Sequence, residues 1–114
     1  MVKRFALPLA LIASPVAAEP LPDLEYVWQA LNIVDAAQTI HCVRTIDGCY
    51  EANPLLGKHP STGKIIAFKA ANGVGHLLVT RYLQKHKPHL VKKWEIISIG
   101  IQGTVVVANL RVVF

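Results

Sequence analysis

The sequence predicts an all-α fold: a small helical membrane bundle of about three helices (24–43, 62–83 and 90–114) after an N-terminal signal-like segment. Three observations carry this expectation. Of the 114 residues, 53% are apolar and 17% charged, against roughly 45–50% and 25% in ordinary soluble domains. Mean hydropathy is +0.39. Within each candidate helix the polar residues recur every three or four positions and so share one narrow face, while the rest of the helix is apolar. No alternation with the period of a strand competes with that pattern. The length suits one domain, since domains commonly run to ~100–150 residues, so residues 19–114 are expected to form a single helical membrane domain.

Residues 1–18 have the three parts of a secretory signal. Lys3 and Arg4 precede an apolar run from Phe5 to Ala13, and Val16-Ala17-Ala18 puts small residues ahead of Glu19. The run is well short of the ~20 apolar residues of a spanning helix, which favours a cleaved signal over an anchor.

After Glu19-Pro20-Leu21-Pro22, Asp23 is placed to cap the first helix, and the turn-like Asp47-Gly48 follows its end. Glu25, Gln29, Asn32, Asp35, Thr39 and Cys42 share one face of this helix, with Gln38 and His41 as polar exceptions beside it. Cys42 and Cys49 flank the helix end and the turn. They suit a disulfide if this loop faces an oxidising compartment, and buried thiols otherwise.

Ser61 or Thr62 can cap the second helix, whose stripe is Lys69, Asn72, His76 and Thr80 and whose pattern is lost ahead of Pro88. Many basic residues cluster between Arg81 and Lys93, which reads as a membrane-flanking loop. The third helix carries Glu95, Ser98, Gln102 and Asn109 on one face. Its β-branched run Thr104–Val107 would suit a strand only in water.

A soluble helix keeps a modest apolar stripe for the core and a wide polar face; here the proportion is inverted. Polar side chains in lipid turn toward the bundle interior, so Gln29, Asn32, Asp35, Thr39, Lys69, Asn72, His76, Gln102 and Asn109 are expected to form an intramembrane polar seam. If the first two helices form an antiparallel hairpin centred near Ala52, residues equally far from it share a level. Asn32 then meets Asn72, and Asp35 pairs with Lys69. Trp28 is level with His76 and Gln29 lies ~1.5 Å away, so the Gln29 amide or the Trp28 indole N–H is expected to reach His76. Around Pro88, Arg81 lies opposite Glu95 in a pair expected to be solvated and weak.

Several features mimic other chemistry. The stretch from Gly57 to Ile65 resembles a phosphate loop but has one residue too many between its glycines and Ile65 where Ser or Thr is needed. His86 and His89 sit in a lysine-rich loop without neighbouring Cys, Asp or Glu. A bundle haem would need inward axial ligands, and only His76 lies on a stripe. No cofactor, metal site or catalytic nucleophile–base pair is therefore expected. The net charge of +5 is concentrated in one loop, which disfavours nucleic acid as a partner.

Asn32, Asp35 and Thr39 form an Asn-x-x-Asp-x-x-x-Thr helix, followed by Glu51-Ala52-Asn53-Pro54 and a helix carrying Lys69. In this the chain resembles an uncharacterised family of small multi-pass bacterial membrane proteins, a domain of unknown function, over about residues 31–83. The resemblance implies a fold and no activity, and it points to Asp35, Thr39, Glu51, Asn53 and Lys69. Asn53 before Pro54 suits a rigid turn, and Glu51 can cap or share the Lys69 charge. The signal-like segment and the two cysteines depart from the family pattern.

Two topology rules conflict. Arg81, Lys85, Lys87, Lys92 and Lys93 favour a cytoplasmic loop 81–93 in the bacterial inner membrane, whereas a cleaved signal would leave Glu19 outside. Three spans with the basic loop inside, the N-terminal segment then not being translocated, is the reading adopted, because Asp35 needs Lys69 at its own depth; the alternative keeps the signal and lets the first helix lie in the interface or pack re-entrantly. The expected function is that of a non-enzymatic interaction or structural module. Its partners would be the lipid bilayer and either another membrane protein or a second copy of itself. The alternative is pore formation or ion or proton permeation, as a holin-like protein or small conduit.

Overall fold

The computed structural model describes residues 20–49, 55–57 and 59–113. Over these it is the predicted three-helix bundle, with no strand among the described residues: α1 spans Asp23–Thr45, α2 Thr62–His86 and α3 Val91–Val113. The signal-like segment 1–18 and the turn motif Glu51, Asn53 and Pro54 lie outside the described residues. Among the described residues no helix is long and apolar enough to cross a membrane.

The helix ends depart from expectation for local reasons. Pro22, not Asp23, takes the N-cap position of α1. Its fixed φ fits there, and Asp23 and Glu25 instead occupy the first turn, where the helix dipole favours negative charge. The Ile46 N–H bonds to Cys42 O at 3.2 Å and closes the last turn. Gly48 then reverses the chain with φ +78°, which an L side chain rarely adopts. Ser61 caps α2, accepting the Lys64 N–H at 3.1 Å. This helix runs past residue 83 to His86, because Pro88 constrains only Lys87, which leaves helical geometry at φ −143° and ψ 62°. A single 3-10 turn, Pro88–Leu90, swings the chain into α3.

The β-branched run of α3 is helical. The Thr104 hydroxyl donates to Gly100 O at 2.7 Å and the Ser98 hydroxyl to Trp94 O at 2.6 Å, so each is satisfied by the preceding turn of its own helix.

Helix α1 is the centre of the bundle, packed against both α2 and α3, which touch each other far less. Burial is inverted relative to an ordinary core. Glu25, Asn32, Asp35, Gln38, Thr39, His76, Thr80, Glu95 and Ser98 are buried. At mid-helix Ile33 is 68% and Ile101 65% exposed. Among the described residues the buried apolar side chains are few: Trp28, Leu56, Ile65 and the two cysteines.

Candidate functional site

The polar interior has two parts, one at the middle of α1 and one at the end of the bundle nearest the basic turn. At the middle, Asp35 gathers donors from both neighbours. Lys69 Nζ of α2 lies 2.6 Å from Oδ2, and Gln102 Nε2 of α3 donates to the same oxygen at 3.0 Å. Asn109 Nδ2 donates to Oδ1 at 2.8 Å. Asn109 also donates to Gln38 Oε1 at 3.0 Å, while Gln38 Nε2 donates to Val106 O at 3.2 Å. Gln38 thus belongs to the interior, although the spacing rule puts it beside the stripe; its long side chain reaches α3 from there. Thr39 is buried one turn beyond Asp35.

The expected layer of Asn32 with Asn72 does not form. Asn72 is exposed, and Asn32 Nδ2 donates to the backbone Lys69 O at 2.9 Å. The cause is rotation about α2: Lys69, Gly73, His76 and Thr80 lie on the line that meets α1, and Asn72 falls to one side. Gly73 takes the expected place, its bare backbone accepting from Gln29 Nε2 at 2.9 Å.

The third expected layer is also built differently. Neither the Gln29 amide nor the Trp28 indole N–H supplies the hydrogen bond to His76. The Trp28 ring stacks on the imidazole at 3.8 Å between centroids and 5° between planes. Trp94 covers the ring at 4.6 Å and 25°. The imidazole is thereby held in one orientation, with Nδ1 2.9 Å from Glu25 Oε2. Gln29 Nε2 donates to that same carboxylate oxygen at 2.8 Å.

Thr80 extends the cluster. Its Oγ1 lies 2.6 Å from Glu25 Oε1 and 3.0 Å from Glu95 Oε1, and it accepts the Trp94 indole N–H at 3.0 Å. Glu95 was expected at the surface opposite Arg81; it is instead fully buried. Glu95 opens the second turn of α3, on the side where Thr80 of α2 reaches it, and that places the side chain inward.

The residues that sequence reasoning left out of the seam are therefore Glu25, Thr80, Trp94, Glu95 and Gln38. Three of them stood on the polar stripes, so periodicity was a usable signal. That they converge was invisible, because they come from three helices with no shared motif. Cys42 and Cys49 are joined in a disulfide with Cα atoms 5.5 Å apart, with Val43 and Ile46 packed against it.

The chain has been compared with protein-family models, curated protein sequences and solved structures, and none matches.

Proposed function

We propose that the chain is a small integral membrane protein, an interaction or structural module whose apolar exterior faces lipid and whose interior polar seam holds three helices in register. The observation that carries this reading is the inverted burial: carboxylates, amides and an imidazole inside, with Ile33, Ile97, Ile101 and Val107 outside. In water such an exterior would leave large apolar area exposed, whereas in hydrocarbon it is the solvated surface.

Helices of 23 residues reach ~34 Å at ~1.5 Å per residue, against a hydrocarbon core of ~30 Å. Their mean hydropathy is lowered by Glu25, Asp35 and Glu95, which the bundle shields from its surroundings. The internal bonding of Thr104 and Ser98 hydroxyls is the same economy, since an apolar medium supplies no partner.

The polar groups of the seam bond one another across helices, which supports the module reading over a conduit. The resemblance to small multi-pass proteins, which includes Asp35 and Lys69, bears on the membrane fold and not on this choice. For orientation, the disulfide lies at the end of the antiparallel α1–α2 pair opposite the basic turn. An oxidised end outside and a basic end in the cytoplasm agree with one another.

Fractionation of cells expressing the full chain tests the reading. The protein is expected in membranes and resistant to alkaline carbonate, with Cys42 and Cys49 labelled by an impermeant maleimide from outside only after reduction. Recovery in the soluble fraction overturns the membrane assignment. Labelling that requires permeabilisation overturns the orientation.

A further inference from the structure

We propose that Glu25, His76 and Glu95 form a binding site for one first-row divalent transition-metal ion, of the zinc or manganese class. The three side chains come from three helices, each offers a ligand atom, and these atoms lie within 4.8 Å of one another with all three residues buried. Ligand atoms bound tetrahedrally to a common ion at ~2.1 Å stand ~3.4 Å apart, so side-chain shifts of about an ångström close the set. Two carboxylates with an imidazole and no sulfur suit Zn, Mn or Fe(II); the imidazole disfavours Mg and Ca, and the lack of thiolate disfavours Cu(I).

A second observation is independent of that proximity. His76 Nε2 and Glu95 Oε2 are buried without a hydrogen-bond partner, in residues only 6% and 0% exposed. Buried polar atoms are ordinarily partnered, and a pair of orphans within one cluster marks a place where a ligand completes the set.

Hydrogen counting at Thr80 leads to the same place. Its oxygen already accepts from Trp94 Nε1, and its one hydrogen serves Glu25 Oε1, the nearer carboxylate, at 2.6 Å. The contact with Glu95 Oε1 at 3.0 Å then needs either a proton on the Glu95 carboxyl or a cation beside it. A divalent cation between the carboxyl groups would take the place of that proton and offset the negative charge buried there. Gln29 and Thr80 would remain as outer partners orienting the carboxylates, and the two indoles wall the site against water. The sequence offered no ligand-spacing motif for such a site. The assignment rests on the local geometry and is independent of where the bundle resides.

Both tryptophans of the chain flank His76, so their fluorescence locates the ion without any mutation. The full chain in detergent micelles is titrated with CoCl2 alone and then with ZnCl2 as competitor. The expected result is saturation at one Co2+ per chain with quenching of tryptophan emission, reversed by Zn2+. Glu95→Gln and Glu25→Gln, checked for helicity by circular dichroism, are each expected to weaken binding by at least the roughly 10–100-fold that loss of an outer-shell partner brings. His86→Gln is expected to leave it unchanged. Absence of saturable binding, binding without quenching, or undiminished binding by a folded Glu95→Gln protein overturns the proposal.

Discussion

At the residue scale, Asp35 is the side chain on which most depends, because it collects donors from both α2 and α3. Removing one partner of a buried ion pair leaves an uncompensated charge and costs roughly 3–5 kcal/mol, whereas removing both can be nearly neutral. Asp35→Asn and Lys69→Met are each expected to lower the thermal unfolding midpoint in detergent, with the double variant recovering most of the loss. Single variants as stable as the parent would show that the pair contributes nothing. Counting residues from Ala52 is enough to bring Asp35 level with Lys69, and their charged atoms are 2.6 Å apart. The same count fails for Asn72, which shares the level of Asn32 but not its azimuth. Depth along a helix follows from residue number, while rotation about it depends on which side the neighbour docks.

At the scale of elements, α1 and α2 approach over Gly73. A Cβ there would lie 2.9 Å from Gln29 Oε1 and 3.4 Å from Asn32 Nδ2, whereas Gly75 has nothing within 4 Å. Both glycines are mid-helix, so both gain up to ~1 kcal/mol of helix propensity on replacement by alanine. Only Gly73→Ala must push Gln29 from its bonds to Glu25 and to the Gly73 carbonyl, a loss of about 1 kcal/mol per hydrogen bond. Gly75→Ala is therefore expected to be the more stable of the two by ~1–2 kcal/mol in chemical unfolding. Equal stabilities would mean that the helices do not rely on this close approach. Helix identity was legible from the caps and prolines: Ser61 caps α2, and Asp47-Gly48 makes its turn. The close approach at Gly73 was not, because a glycine in an apolar helix looks the same whether it faces a neighbour or open space.

At the scale of the whole molecule, lysine placed on the apolar exterior tests whether that surface meets lipid or water. A lysine near the centre of a lipid-exposed helix costs ~2.5–3.5 kcal/mol on insertion scales, whereas surface substitutions in water usually stay within ~0.5 kcal/mol. Ile33→Lys and Ile101→Lys, the two most exposed mid-helix isoleucines of α1 and α3, are expected to reduce accumulation in the membrane fraction severalfold. Unchanged accumulation of both would mean that this surface does not face hydrocarbon. The test is independent of the seam, since neither side chain contributes a polar group to the interior.

The sequence by itself determined the helical class, the three helices of the described residues, their approximate limits and the side of each helix that carries polar groups. All of these depend on spacing and on local backbone preference, which the chain carries residue by residue. Only the tertiary structure decided how those faces combine: that Gly73 rather than Asn72 meets α1, that Gln38 reaches α3, and that Glu25, His76, Thr80 and Glu95 converge between two indoles. Such convergence depends on the relative rotation and docking of three helices. That is set by long-range packing between residues up to 74 positions apart, and no local periodicity encodes it.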